Sequence, residues 1–344
     1  MELIEILKEL VSFNTIKDKE NVKINDFIEI YLNKLGFNTK RVDKCLIAKN
    51  DDNSKIGFIG HTDTVDYSTW DSDPFKLTIK ESKIYGLGVC DMKGGIAAIL
   101  SAVSKIDLKT NKIALYFTND EEISFKGIKT LKNERFPNTV IIGEPTNNIP
   151  IYGTKGVLEL LITFNGIKTH SSTPEKGKNA IYESVDFINK LRAYYEELKL
   201  DICEDFEVPY TSMNVGMIKG GESVNSVAGK CEITLDFRIA KDEHLGKIEK
   251  DVRKILKDYD AIISIKNKIK PKINLEDMSF LESISSKKQT ANYLTEASFI
   301  ESKAIILGPG PVTAHEKNEY ITIDSLEKIE QLYIEIVKKY NEKG

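Results

Sequence analysis

A chain of 344 residues is longer than one hydrophobic core usually organises, so two domains are expected. Hydrophobic residues make up 41% and charged residues 30%, the ordinary balance of a soluble globular protein. Its 49 basic and 53 acidic residues leave a net charge of −4, which gives no electrostatic reason to bind nucleic acid or an anionic membrane.

The opening stretch, MELIEILKELVSFNTI, carries acids and spaces its apolar residues as a helix does. It lacks the basic start and small-residue cleavage site of a signal peptide, and no apolar run is long enough to span a membrane. Cys45, Cys90, Cys203 and Cys231 include no close pair, which points to reduced thiols in a cytoplasmic protein. Residues 2–12 and 21–35 read as amphipathic helices, with Gly36 stopping the second. Short apolar strands follow at 56–60, 112–118 and 139–143, with a helix at 92–106 between the first two. Strands alternating with helices predict an α/β domain with a largely parallel central sheet flanked by helices.

After about residue 153 the pattern changes. Residues 156–166, 212–221 and 230–240 alternate like half-exposed strands, 178–198 and 242–257 look helical, and 261–266 is a further strand. This suits a smaller α+β domain inserted into the first, at roughly 154–266. KAIILGPG (303–310) returns to the fully apolar strand type, and a helix at 324–342 ends the chain. Residues 1–153 and 267–344 are therefore expected to form one domain.

Of four histidines, three stand in polar or glycine-flanked contexts: GHTDTV (His61), KTHSSTP (His170) and GPGPVTAHEKNEY (His315). His244, in KDEHLGK, reads as a charged helical surface. His61 ends an apolar strand, and Asp63 at i+2 lies on the same side of an extended chain, within reach of the ring from behind. A metal-bound imidazole commonly donates its other N–H to a carboxylate; an Asx-type turn is the plainer reading. Asp91, in YGLGVCDMKGG, falls at a helix start, either as a cap or as a cation ligand. Cys90 beside it reads as a packing residue. Asp120, Glu121 and Glu122 follow the strand KIALYFT, flanked by Phe117, Ile123 and Phe125, and Glu144 follows the next strand. Ligands in open α/β sheets gather at the carboxyl ends of the strands, and His61, Glu121, Glu122 and Glu144 would all lie there, with Asp91 able to join them. A set of His, Asp, Glu, Glu and His, without thiolate, suits zinc, and also cobalt or manganese. Five ligands are too many for one catalytic zinc but fit two ions sharing a bridging carboxylate.

These blocks resemble a known family. GHTDTV, WDSDPFKLTIKESKIYGLGVCDMKGG, DEE, IIGEPT, THSSTPEKGKNAI, GGESVNSVAGKCEITLDFR and LGPGPVTAHEKNEY occur in the order and spacing of the co-catalytic zinc amidohydrolases and metallopeptidases. That family includes acetylornithine deacetylase, succinyl-diaminopimelate desuccinylase and the glutamate carboxypeptidases. The resemblance implies that His61 and Glu144 hold one metal, Glu122 and His315 the other, and that Asp91 bridges them. It implies that Asp63 supports His61, that Glu121 is the general base, and that His170, on the inserted lid or dimerisation domain, stabilises the oxyanion. In some relatives that histidine comes from the partner subunit of a homodimer. Asn225 and Arg238 resemble residues that bind the substrate carboxylate, and Gly308 is a further candidate for substrate binding. Glu296, in NYLTEASFIE, is read either as facing a substrate amine or as capping a helix. The HTDTV-to-DMKG stretch, HSSTPEKGKNAI and NYLTEASFIE look most like the acetylornithine deacetylases. The implied reaction is hydrolysis of an N-acyl amino acid, with a desuccinylase, an acetyl-lysine or acetyl-citrulline deacetylase, a peptidase and a non-catalytic metal-binding module as the alternatives.

Overall fold

The computed structural model describes every residue except 18, 20, 67–69, 275–280, 282–288, 343 and 344. In chain order the elements are α1 (Leu3–Ser12), α2 (Asn21–Lys34), β1 (Asn38–Val42), β2 (Cys45–Lys49), β3 (Ile56–His61), β4 (Thr78–Lys80), β5 (Lys83–Tyr85) and α3 (Lys93–Ser104). Then come β6 (Ile113–Thr118), α4 (Lys126–Thr130), β7 (Thr139–Ile142), β8 (Ile151–Thr154), β9 (Gly156–Asn165), α5 (Ala180–Leu198), β10 (Ser212–Gly220) and β11 (Lys230–Ile239). The remainder are α6 (Asp242–Leu256), β12 (Ala261–Ile269), β13 (Lys272–Ile273), β14 (Gln289–Ala291), β15 (Lys303–Ile306), β16 (Tyr320–Thr322) and α7 (Ile323–Glu342). They divide into two compact units. One comprises Met1–Gly153, Asn274–Gln289 and Thr295–Gly344; the other comprises Thr154–Ile273 and Thr290–Leu294.

The first unit is built on a sheet whose strands run β1-β2-β6-β3-β7-β15-β8. The inner four, β6, β3, β7 and β15, are parallel to one another; the β1-β2 hairpin joins β6, and β8 joins β15, antiparallel. Because successive side chains of a strand point to opposite faces, each inner strand feeds two cores. Phe58, Leu115, Ile141 and Ile305 pack with α1, α2, α3 and α7. Ile59, Tyr116, Ile142 and Ile306 pack on the other face with Ile128, Leu131, Ala297 and Ile300. Burial on both faces explains why these strands read as unbroken apolar runs. The chain leaves β3 for β6 on one side and then crosses to β7 on the other. Such a reversal opens a crevice at the carboxyl ends of the strands. The hairpin β1-β2 escapes a reading by periodicity, since β1 is the half-exposed edge sequence NTKRV. The run at 303–310 is a strand only as far as Ile306, because LGPG turns away.

The second unit is a four-stranded antiparallel sheet in the order β10-β11-β9-β12. Alternate residues Leu158, Leu160, Ile162 and Phe164 of β9, and Cys231 through Ile239 of β11, face a core completed by α5 and α6. One expectation fails here. His244 is no surface residue: it is fully buried in the first turn of α6, with Nδ1 2.7 Å from the Thr211 hydroxyl and Nε2 2.9 Å from Asp201. Its charged neighbours face outward, while the helical period turns His244 inward with Leu245 and Ile248.

Candidate metal centre

His61 is the last residue of β3, and the loops after β6 and β7 carry Glu121, Glu122 and Glu144. Parallel pairing of β3 with β6 and β7 brings all three strand ends to one edge. Asp91 and His315 arrive there from two loops that hold each other. The Cys90 thiol donates to the Pro311 carbonyl at 3.5 Å and accepts the Thr313 N–H at 3.3 Å, so Cys90 is the packing residue expected. Glu319, near the end of the LGPGPVTAHEKNEY block but given no role there, is almost completely buried and accepts the Cys90 N–H at 3.3 Å. Burial raises its carboxyl to about 8. Within that block it reads as one more acid in a turn, which is why sequence reasoning passes over it.

The six charged groups meet closely. His61 Nε2 lies 2.9 Å from Asp91 Oδ1 and 3.4 Å from Glu144 Oε1. His315 Nε2 lies 3.0 Å from Glu122 Oε2 and 3.4 Å from Asp91 Oδ2. The two oxygens of Asp91 thus face two different histidines. The cap reading of Asp91 fails: Met92 precedes the first turn of α3, and no side chain caps it. Ligand atoms of His61, Glu121 and Glu144 lie within 4.8 Å of one another, and so do those of His61, Asp91 and Glu122.

Asp63 supports His61 as expected, and does so with two of its groups. The ring of His61 turns its Nδ1 to the main-chain carbonyl of Asp63 at 3.0 Å, with the carboxylate Oδ1 farther off at 3.6 Å. A carbonyl only accepts, so Nδ1 carries a proton, and loss of the other proton would leave the Nε2 lone pair for a metal. The chain leaves the strand at His61, which swings the Asp63 carboxylate toward the next loop, where Oδ2 accepts the Glu122 N–H at 3.2 Å. That loop turns at Asp120, whose φ of +59° is left-handed. Glu121 and Glu122 are half-buried, as their apolar neighbours suggest, although Ile123 itself is 67% exposed.

Charge balance tests whether the cluster suits cations. Burial drives His61 toward its neutral form, yet Glu144, Asp63 and Asp91 hold it protonated well above the usual imidazole range. Bonds to Asp91 and Glu122 raise His315 to about 10. Burial and the charge of Asp91 push Glu144 up to about 8. Burial also pushes Glu121 well up, opposed by His61 and assisted by Glu144 and Asp91. Four carboxylates gathered at one sheet edge call for positive charge, which here the two imidazolium rings supply. Nitrogen and oxygen donors at these spacings fit divalent metal ions.

Other candidates fall elsewhere. His170 and Asn225 lie side by side in the second unit, where the Ser171 N–H donates to the Asn225 carbonyl at 3.0 Å. Arg238, on β11, donates Nε to Asp236 at 3.0 Å. Glu296 is only 1% exposed, and its Oε2 has no hydrogen-bond partner among the described residues. The capping reading of it fails, because Thr295 caps the short helix at 296–299. Burial raises Glu296 to about 7, with His61 and Thr118 opposing. The Gly308 N–H donates to Thr146 Oγ1 at 3.1 Å, and its carbonyl accepts the Asn148 N–H at 2.9 Å. Its service is room, because a Cβ there would overlap the main-chain oxygens of Gly143 and Glu144. Gly308→Ala should cost about 1–3 kcal/mol and weaken metal binding by displacing Glu144. Urea unfolding and metal content together check this, and an unchanged protein on both counts would contradict it.

Residues 152–262 match the model of a peptidase dimerisation domain. The chain is 31% identical to an acetylornithine deacetylase of Proteus mirabilis, over 98% of this chain and 96% of that one. It is also 31% identical to an acetylornithine deacetylase of Pasteurella multocida, over 94% and 92%. Among solved structures it is similar to a tripeptidase from Staphylococcus aureus, with TM-score 0.83, 21% identity, and 99% and 98% of the two chains covered. An M20 family metallo-carboxypeptidase from Sulfolobus solfataricus superposes with TM-score 0.78 at 19% identity, over 99% of each chain. The shared fold, together with the near-full-length identity to the deacetylases, places this chain in the M20 metallopeptidase family, to which the acetylornithine deacetylases belong.

Proposed function

We propose that the protein is a two-metal amidohydrolase that converts N-acetylornithine and water to ornithine and acetate. One observation carries the reading: a chain alignable with acetylornithine deacetylases over 98% of its length gathers His61, Asp91, Glu122, Glu144 and His315 at one sheet edge, with Glu121 among them. His61 and Glu144 would hold one ion, Glu122 and His315 the other, and Asp91 both; zinc suits these donors, and cobalt or manganese can replace it. When bound, the ions acidify a water and polarise the amide carbonyl. Glu121 takes the proton of the attacking water and gives it to the departing nitrogen as the C–N bond breaks. His170 donates Nε2–H to the amide oxygen as negative charge develops there. Asp63 holds the His61 ring through its carbonyl and the Glu122 loop through its carboxylate. Arg238, with its terminal N–H groups unpartnered among the described residues, and Asn225 would receive the substrate carboxylate.

The second unit is proposed as the dimer-forming part. Its edge strand β10 exposes Met217 (68%) and Ile218 (55%), and α5 exposes Tyr182 (74%), apolar surface of the kind a homodimer covers. A cytoplasmic location belongs to the same reading: all four cysteines are free thiols, and among the described residues no helix is long and apolar enough to cross a membrane.

A panel of substrates on the zinc-loaded enzyme tests the assignment. N-acetylornithine should show the highest kcat/KM among N-acetylornithine, N-acetyl-lysine, N-acetylcitrulline, N-succinyl-diaminopimelate and unmodified dipeptides. A preference of about tenfold or more for the succinyl compound overturns the substrate while leaving the hydrolysis standing.

A further inference from the structure

The ring of His170 is held by its own turn. The main-chain N–H of Ser172 donates to Nδ1 at 3.2 Å, and the Ser172 hydroxyl lies 2.7 Å from the same nitrogen. The His170 carbonyl accepts the Thr173 N–H at 3.0 Å, closing the turn. On its other side His170 pairs with Ser226, and the Ser171 N–H is bound to the Asn225 carbonyl. A main-chain N–H can only donate, so Nδ1 presents its lone pair, and the hydroxyl facing that lone pair donates as well. A neutral imidazole with Nδ1 bare carries its proton on Nε2. The residue is exposed, so this N–H is accessible from solvent.

We propose that Ser172 is a positioning residue, whose two donors at Nδ1 fix His170 as the Nε2–H tautomer in one orientation, set to donate to the amide oxygen. The inference rests on the oxyanion reading of His170. The other tautomer would aim a lone pair at an oxygen gaining negative charge, and repel it. A donor already oriented needs no rearrangement during the reaction, which is where such groups derive their effect.

Nitrogen-15 spectra of the zinc-loaded protein labelled at histidine test this, with only four histidines to assign. His170 should appear as one Nε2–H tautomer in the wild type and in Ser172→Thr. Ser172→Ala keeps the main-chain donor but loses the hydroxyl, so it should show tautomer exchange. Its kcat should fall about three- to tenfold at unchanged KM, the worth of one hydrogen bond, and Ser172→Thr should restore it. An Nδ1–H tautomer in the wild type overturns the proposal. So does Ser172→Ala with an unchanged spectrum, whatever its rate. Should His170→Ala prove fully active, the oxyanion reading fails instead, and the spectra still report whether Ser172 sets the tautomer.

Discussion

Glu121→Gln should lower kcat by about 10²–10⁴ while both metal ions and the substrate still bind. Glutamine keeps the shape and one oxygen of glutamate but cannot take a proton. Glu121 and Glu122 are neighbours in one tight loop, so they cannot do the same work from the same direction. Both lie near His61, but Glu122 also reaches Asp91 and His315, the latter at 3.0 Å, while Glu121 groups with Glu144. Glu122→Gln should therefore weaken one metal site, and excess zinc should partly restore the rate. Metal stoichiometry and kcat measured in parallel decide the matter. A Glu121→Gln protein that loses a metal, beside a Glu122→Gln protein that keeps both, reverses the roles. Two fully active variants would put the site elsewhere.

Asp91→Ala should be the most damaging single change at the cluster. Its oxygens face His61 and His315 separately, so its removal reaches both proposed ion sites at once. Breaking a buried, bonded charge group costs about 3–5 kcal/mol, and activity should fall by about 10³-fold or more. His315→Ala reaches only one side and should leave one ion bound. Elemental analysis of the two variants after zinc loading and dialysis checks the contrast; equal metal content in both would refute a bridging role for Asp91.

Much of this was legible in the sequence because the fold imposes a simple rule on it. Strands buried on both faces have to be unbroken apolar runs, so KIGFI and KIALYFT announce themselves, and their carboxyl ends locate His61 and Glu121 without any view of the fold. What the sequence hides is which atom of a residue does the work. Asp63 is in the expected place, but its carbonyl lies nearer the His61 ring than its carboxylate does, because the chain turns immediately after the strand. Glu296 reads as a possible helix cap, yet Thr295 takes that place, and the short helix carrying it packs Ala297 and Phe299 under the sheet. His244 looked solvated because charge surrounds it in sequence, whereas the helical period buries it. The clearance that Gly308 gives Glu144 is likewise invisible in the sequence.

One sheet edge of this chain is proposed to hold two metal ions through five side chains. Calorimetric titration of chelator-treated protein with zinc tests it most directly, with elemental analysis of the loaded product. The account predicts two ions per chain in the wild type, one in His315→Ala, and return of amidohydrolase activity as the ions bind. A single ion in the wild type, with His315→Ala unchanged in metal content and rate, would contradict it.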